Sequence, residues 1–192
     1  MSWEQQSFSI NIMQNYIKEQ LQQRVTPRLY QHIMGVSDTA KALATHYGVD
    51  EEQCYLAGLM HDYAKQDHLT YDMIKKEDQY PYLETAPAIW HGYVASYVAN
   101  DQFNINNQDT LDAIKFHTTS NSNLSDIGKI LYIADTIEPN RDFPGIEELR
   151  TFEPTLEQHY QKVLLHSVKY LEKKGIAIGP LTKLAIDEVN NK

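Results

Sequence analysis

Residues 26–48 read TPRLYQHIMGVSDTAKALATHYG. Leu29, Ile33, Val36, Ala40, Leu43 and Tyr47 recur every three or four positions, the apolar stripe of one amphipathic helix. Thr26 suits the N-cap, Pro27 the first helical position, and Gly48 the C-terminal stop. The same helical period runs outward in both directions. Asp50-x-x-Gln53 predicts a capping box for a helix reaching about Lys65. Pro87 predicts the start of a third helix, Asp109 or Thr110 a fourth, and Ser125 a fifth that Pro139 closes. Pro154 opens a long helix ended by Gly175, and residues about 4–24 form a further amphipathic one. Alternating strand patterns are scarce, and there is no repeat or low-complexity tract. The expected fold class is all-α, a single helical bundle of seven to ten helices.

Composition narrows the partners. The chain has 192 residues and a net charge of −9, which argues against a nucleic-acid binder working through a basic face. Hydrophobic residues make up 42 % of the chain, enough for a core. The single cysteine, Cys54, excludes an internal disulfide and a Cys-rich zinc site. No apolar run approaches the roughly 20 residues that span a bilayer. The start, MSWEQQSFSI, lacks the basic and apolar regions of a secretion signal. A cytoplasmic location is expected.

Chemistry-bearing residues recur at long intervals: His32, the pair His61-Asp62, His91, His117 and Asp135. The gaps of 29, 30, 26 and 18 residues each match about one helix plus one loop, so a bundle can bring all of them to one centre. Asp135 lies within ILYIADTI, residues 130–137. A carboxylate in such an apolar run needs a cation, a hydrogen-bond network or a metal, because burying it unpaired costs several kcal/mol or neutralises it. Four imidazoles and two carboxylates pointing inward suit two divalent ions such as iron, manganese or zinc. Lys65 stands one turn beyond the His-Asp pair, either over the same centre or solvated at a helix end. Arg141 offers a planar fork for phosphate oxygens or for a surface ion pair. Thr118 and Thr119 either donate to phosphate or satisfy a helix end. His68 is a further candidate for substrate contact. His46, His159 and His166 follow no pattern that links them to the centre and read as surface or structural.

The order His…His-Asp…His…His…Asp resembles the HD-domain superfamily of metal-dependent phosphohydrolases. RLYQHIMGVSDTAKALATHYG (28–48), AGLMHDYAK (57–65), AIWHGYVAS (88–96), IKFHTTS (114–120) and KILYIADTIEPNRDFPGIEELR (129–150) resemble its YqeK-like branch, the symmetrical diadenosine tetraphosphate hydrolases. One departure is Ser120, where that branch usually has Gly. The resemblance implies an HD core over 26–155, an N-terminal helical extension over 1–25, and C-terminal helices over 156–192 packed on the core. It implies two divalent ions, iron in that branch, with manganese or zinc as alternatives. His32, His61, Asp62 and Asp135 would hold one ion, and His91 and His117 the second, with Asp62 bridging. Asp62 and Lys65 would be catalytic. Lys65, His68, Thr118, Thr119 and Arg141 would contact substrate.

The implied reaction cuts a dinucleoside polyphosphate symmetrically into two nucleoside diphosphates. The nucleophile would be a hydroxide bridging the two ions. A homodimer is one option, with no membrane or nucleic-acid partner. The alternatives are an HD-type hydrolase of another nucleotide (a nucleoside mono- or triphosphate) and a non-catalytic nucleotide-binding adaptor on the same scaffold.

Overall fold

Thr26 sets the start of the helix that organises the bundle. Its backbone is extended (φ −62°, ψ 153°), and its hydroxyl accepts from the Leu29 amide. Helix α2 then runs Pro27–Tyr47 and stops at Gly48, whose φ of +70° needs no side chain to tolerate it. The buried stripe contains Leu29, Ile33, Val36, Ala40 and Leu43, as the spacing predicts. A computed structural model describes residues 3–66 and 87–191. Among these there are nine α-helices and no strand, so the fold is the expected all-α bundle.

The elements before and after α2 follow from their own caps. Helix α1 spans Trp3–Arg24 and buries Ile17 and Leu21 completely. Helix α3 spans Glu51–Met60, with the Asp50 carboxylate accepting from the Glu52 and Gln53 amides at 3.0 Å each. The predicted capping box is only half made. Gln53 does not turn back; its Oε1 accepts from the Thr110 hydroxyl (2.7 Å), which ties α3 to α5. Helix α3 also ends five residues before the predicted Lys65. His61 Nδ1 donates to the Gly58 carbonyl (2.7 Å), the acceptor the Asp62 amide needs for another helical turn. Tighter bonds follow, from Tyr63 to Met60 and from Lys65 to Asp62.

Helix α4 covers Trp90–Phe103; Pro87 opens a single 3-10 turn before it rather than the helix itself. Helix α5 covers Gln108–Phe116 and is capped by Asn107, slightly ahead of the predicted Asp109 or Thr110. Helix α6, Asp126–Ile137, is capped by Ser125 and ends before Pro139 as predicted. Helix α7, Ile146–Arg150, has no counterpart among the expected helices, and α9, Pro180–Asn190, falls within the C-terminal helices expected over 156–192. Between them α8, Leu156–Lys173, is capped by Thr155 rather than opened by Pro154. The C-terminal tail closes the bundle: α9 packs on α8, and Thr182 donates its hydroxyl hydrogen to the Thr119 carbonyl (2.8 Å).

Helix α6 is the axis. It packs against α2, α3, α5 and α8, and Ile127 through Ala134 are all buried. Its apolar residues fill the core, while Lys129 pairs with Asp126 and Glu157 at the rim and Asp135 turns toward His32. No helix among the described residues is long and apolar enough to cross a membrane. His159, read from sequence as surface or structural, is structural: its Nε2 donates to the Leu149 carbonyl (2.7 Å) and its Nδ1 lies 2.9 Å from the Tyr47 hydroxyl.

Helices α2 and α3 make the most extensive contact in the bundle. They touch at Gly58, where a Cβ would meet the Ser37 Cα at 2.6 Å and the Ser37 amide nitrogen at 3.1 Å. Backbone cannot yield as a flexible side chain does. Gly58→Ala raises helix propensity, yet we expect it to destabilise the fold by about 1–3 kcal/mol through overpacking, read as a lower urea midpoint. Unchanged stability would show that the two helices separate without cost.

Candidate metal centre

The residues predicted from the spacing converge from α2, α4, α6 and the turns after α3 and α5. Asp62 stands in the middle, fully buried. Its Oδ2 lies 3.4 Å from His61 Nε2 and 3.7 Å from His32 Nε2. Its Oδ1 lies 3.1 Å from His91 Nε2 and 3.5 Å from His117 Nε2. Asp135 Oδ1 is 3.1 Å from His32 Nε2. One carboxylate thus faces two pairs of imidazoles, one pair per oxygen.

The far side of each ring explains this orientation. His61 Nδ1 and His117 Nδ1 each donate to a backbone carbonyl three residues back, Gly58 and Ile114, at 2.7 Å. With the hydrogen on Nδ1, the neutral ring directs the Nε2 lone pair inward. His32 Nδ1 instead meets Glu138 Oε1 at 3.0 Å. Glu138 is buried, and its other oxygen accepts from the backbone and side-chain nitrogens of Asn140 (2.7 and 2.9 Å). A Cβ on Gly35 would come within 2.5 Å of that same Oε2, so the glycine makes room for the carboxylate.

The inner atoms are those a metal would satisfy. His32 Nε2, His61 Nε2 and Asp62 Oδ1 are buried and make no hydrogen bond of proper geometry among the described residues. His91 Nε2 and His117 Nε2 stand 3.1 Å apart. His117 has its ring hydrogen on the outer nitrogen, so its inward lone pair accepts from His91 Nε2 and is available to a cation once His91 gives up that hydrogen. Three overlapping groups have ligand atoms within 4.8 Å of one another: His32, His61 and Asp62; His61, His117 and Asp135; Asp62, His91 and His117. Nitrogen and oxygen donors in this mixture fit a borderline divalent ion.

Electrostatics agree. Burial pushes the Asp62 carboxyl up, but His61, His117 and His91 outweigh it and hold the group well below the ordinary carboxylate range. Burial likewise opposes ionisation of Asp135, and the His32 hydrogen bond together with the Arg141 guanidinium wins. His32 is raised: burial lowers it, and the Asp135 and Glu138 carboxylates more than compensate. His91 is lowered by burial, with His117 adding to the effect against Asp62.

The remaining predicted residues divide. Lys65 Nζ donates to Asp62 Oδ2 at 2.7 Å, so it reaches the centre although its side chain is 43 % exposed. Arg141 donates to Asp135 Oδ1 (2.7 Å) and to the Asp135 carbonyl (3.0 Å). His117, Thr118, Asp135 and Arg141 line a cavity of about 440 Å³. The Thr119 hydroxyl is spent on the Ser120 carbonyl (2.8 Å), the helix-end alternative. His68 lies outside the described residues. Sequence reasoning missed Glu138, which reads as a loop residue beside Pro139. It also missed His166 and Phe143, which line the same cavity but are brought there only by α8 and the α6–α7 loop. Only the charge of Glu138 directly after an apolar run hinted at burial.

The chain belongs to the HD-domain family, whose domain matches residues 29–140. It is similar to proteins named symmetrical bis(5'-nucleosyl)-tetraphosphatase. That of Halalkalibacterium halodurans is 37 % identical over 82 % of this chain and 87 % of its own. That of Bacillus subtilis is 32 % identical over 85 % and 90 %. A crystal structure of an HD superfamily hydrolase from Clostridium acetobutylicum superposes with a TM-score of 0.83 at 32 % identity, covering 92 % of this chain and 96 % of that one.

Ser120, the departure from the usual Gly, keeps the turn that a glycine would make. Its φ is +59°, and its buried hydroxyl meets the Tyr160 hydroxyl in a short hydrogen bond. The left-handed backbone costs about 1 kcal/mol, and the bond anchors the loop after His117 to α8. We expect Ser120→Gly to destabilise by about 1 kcal/mol, because Tyr160 loses a buried partner. Ser120→Ala should cost about 1 kcal/mol more, since it keeps the strain and loses the bond. Urea denaturation of both variants checks the order; Ala no worse than Gly would show that the backbone is unstrained.

Proposed function

We propose that this hydrolase cleaves diadenosine tetraphosphate symmetrically, adding one water across the central P–O–P linkage to give two ADP. The reading is carried by one observation: the two oxygens of Asp62 face two separate imidazole pairs, His32 with His61 and His91 with His117. That arrangement supports a site for two divalent ions: His32, His61, Asp62 and Asp135 would hold one, and His91, His117 and Asp62 the other. Iron is the identity we propose, with manganese and zinc as competitors; all three accept imidazole together with carboxylate. When bound, such ions polarise phosphoryl oxygens and make a water nucleophilic near neutral pH.

The chain's own residues do the rest. Backbone carbonyls hold the rings of His61 and His117, and Glu138 holds His32, so the donor set is built before anything binds. Lys65 and Arg141 place positive charge beside the carboxylates, where a tetraphosphate gathers negative charge. This local charge matters because the protein as a whole carries −9 and repels an anion at long range. The leaving ADP is a stable anion, so positioning and charge stabilisation carry the reaction rather than a strong general acid. Thr118, in the cavity wall beside Arg141, adds a hydroxyl donor for phosphate.

On this reading residues 26–155 form the catalytic core, 1–25 an extension and 156–192 its C-terminal cover. All six inward residues come from one chain, so a homodimer is compatible with the chemistry but not required by it. A cytoplasmic location fits a nucleotide substrate.

Purified protein supplied with each divalent metal in turn is expected to yield ADP as the only nucleotide product, resolved by chromatography. ATP plus AMP would overturn the symmetrical reading. Asp135→Ala should lower turnover at least about 100-fold and reduce bound metal, with far-ultraviolet circular dichroism unchanged. Glu138→Gln should weaken metal affinity by about 10- to 100-fold, since it removes the charge behind His32 and leaves one amide oxygen to accept from either His32 or Asn140, without removing a donor from the centre. Metal content equal to the parent in both variants would remove the assigned roles.

A further inference from the structure

We propose that the Phe143–His166 ring pair is the shelf on which one nucleobase of the substrate stacks. This rests on the dinucleotide reading above and extends it to a part of the cavity with no assigned task. The cavity that contains Asp135 and Arg141 is also walled by Phe143, His166, Tyr132 and Tyr170. Its volume, about 440 Å³, falls among small-molecule sites of roughly 300–1,000 Å³. One wall therefore offers charge for phosphate and another offers aromatic faces. A nucleoside diphosphate presents the same two features.

The ring pair is placed for this. The centroids of Phe143 and His166 are 5.5 Å apart with planes 31° from parallel. That is the spacing of rings already in contact, so a base lies against the pair rather than between its members. Phe143 packs half-buried on the core. Its loop is pinned by Arg150, whose guanidinium donates at 2.9 Å to the carbonyls of Ile137, Glu138 and Arg141. The same loop carries Arg141, so shelf and phosphate group are held in one frame. Among the described residues His166 makes no hydrogen bond, and its half-buried ring lines the cavity against Phe143.

A stacking shelf reads the π-face that every base has, so it discriminates weakly between bases. Calorimetric titration of the metal-loaded protein with ADP, and with inorganic pyrophosphate as the base-free counterpart, tests it. His166→Ala and Phe143→Leu are each expected to raise the ADP Kd by about tenfold while pyrophosphate stays within about twofold. His166→Phe, which keeps a ring, should retain ADP affinity. Phe143→Leu preserves apolar bulk, and thermal melts verify that each variant folds. Unchanged ADP affinity in both truncations overturns the shelf, as does equal loss for ADP and pyrophosphate, or loss in His166→Phe. Turnover of diadenosine tetraphosphate, measured alongside, judges the underlying reading separately. A parent protein that binds ADP through these rings but cleaves nothing would sink the hydrolase reading and leave the shelf standing.

Discussion

A carboxylate with no access to water anchors this molecule. Asp62 is fully buried, and it is faced by four imidazole nitrogens and the Lys65 ammonium. An unpaired charge in that position would cost several kcal/mol. Positive charge around it is therefore a structural requirement as well as a chemical one. Three of its four histidines come from distant points in the chain, so the carboxylate that would serve chemistry also ties α2, α4 and the turns after α3 and α5 to one point. A bound pair of cations would satisfy both demands together.

The rigidity of that point comes from the backbone. The turns after α3 and α5 repeat one device: a histidine just past the last helical residue donates back to the carbonyl three positions earlier. The device ends the helix and aims the ring in a single step. It also accounts for the early end of α3. Helical continuation to Lys65 would have taken the Gly58 carbonyl for the main chain and released His61. Glycines let the elements close around the centre: Gly35 clears space for Glu138, and a Cβ at Gly92 would meet the Lys115 carbonyl oxygen at 2.8 Å and His117 Cε1 at 3.3 Å. Packing density and ligand geometry are thus set by the same residues.

The C-terminal helices contribute more than cover. Helix α8 supplies His159 to hold Tyr47, Tyr160 to hold Ser120, and one wall of the cavity. Helix α9 holds the Thr119 carbonyl through Thr182. The loop after His117 is consequently fastened from two helices that lie outside the matched HD domain. An acidic protein that handles an acidic substrate needs its few cations fixed in place, and these fastenings keep the surrounding loops from yielding.

Periodicity and capping chemistry alone were enough to specify an all-α bundle, because a three-to-four-residue stripe and a Thr-Pro or Ser cap act over one turn of chain. The inward set of histidines and aspartates was legible from its spacing of one helix plus one loop and from polar residues set in or directly after apolar runs, although His61, Asp62 and His117 fall in turns just past their helices. What depended on tertiary structure was every partnership across elements. Gln53 spends its side chain on Thr110 of another helix instead of its own cap. Glu138 looks like a loop residue until α2 brings His32 against it. His166 carries no local sign at all, since its neighbours along α8 do not reveal that it packs on Phe143 and lines one cavity with Asp135. Local interactions leave their mark in adjacent residues, whereas a cavity is made by surfaces that the chain brings together only when it folds.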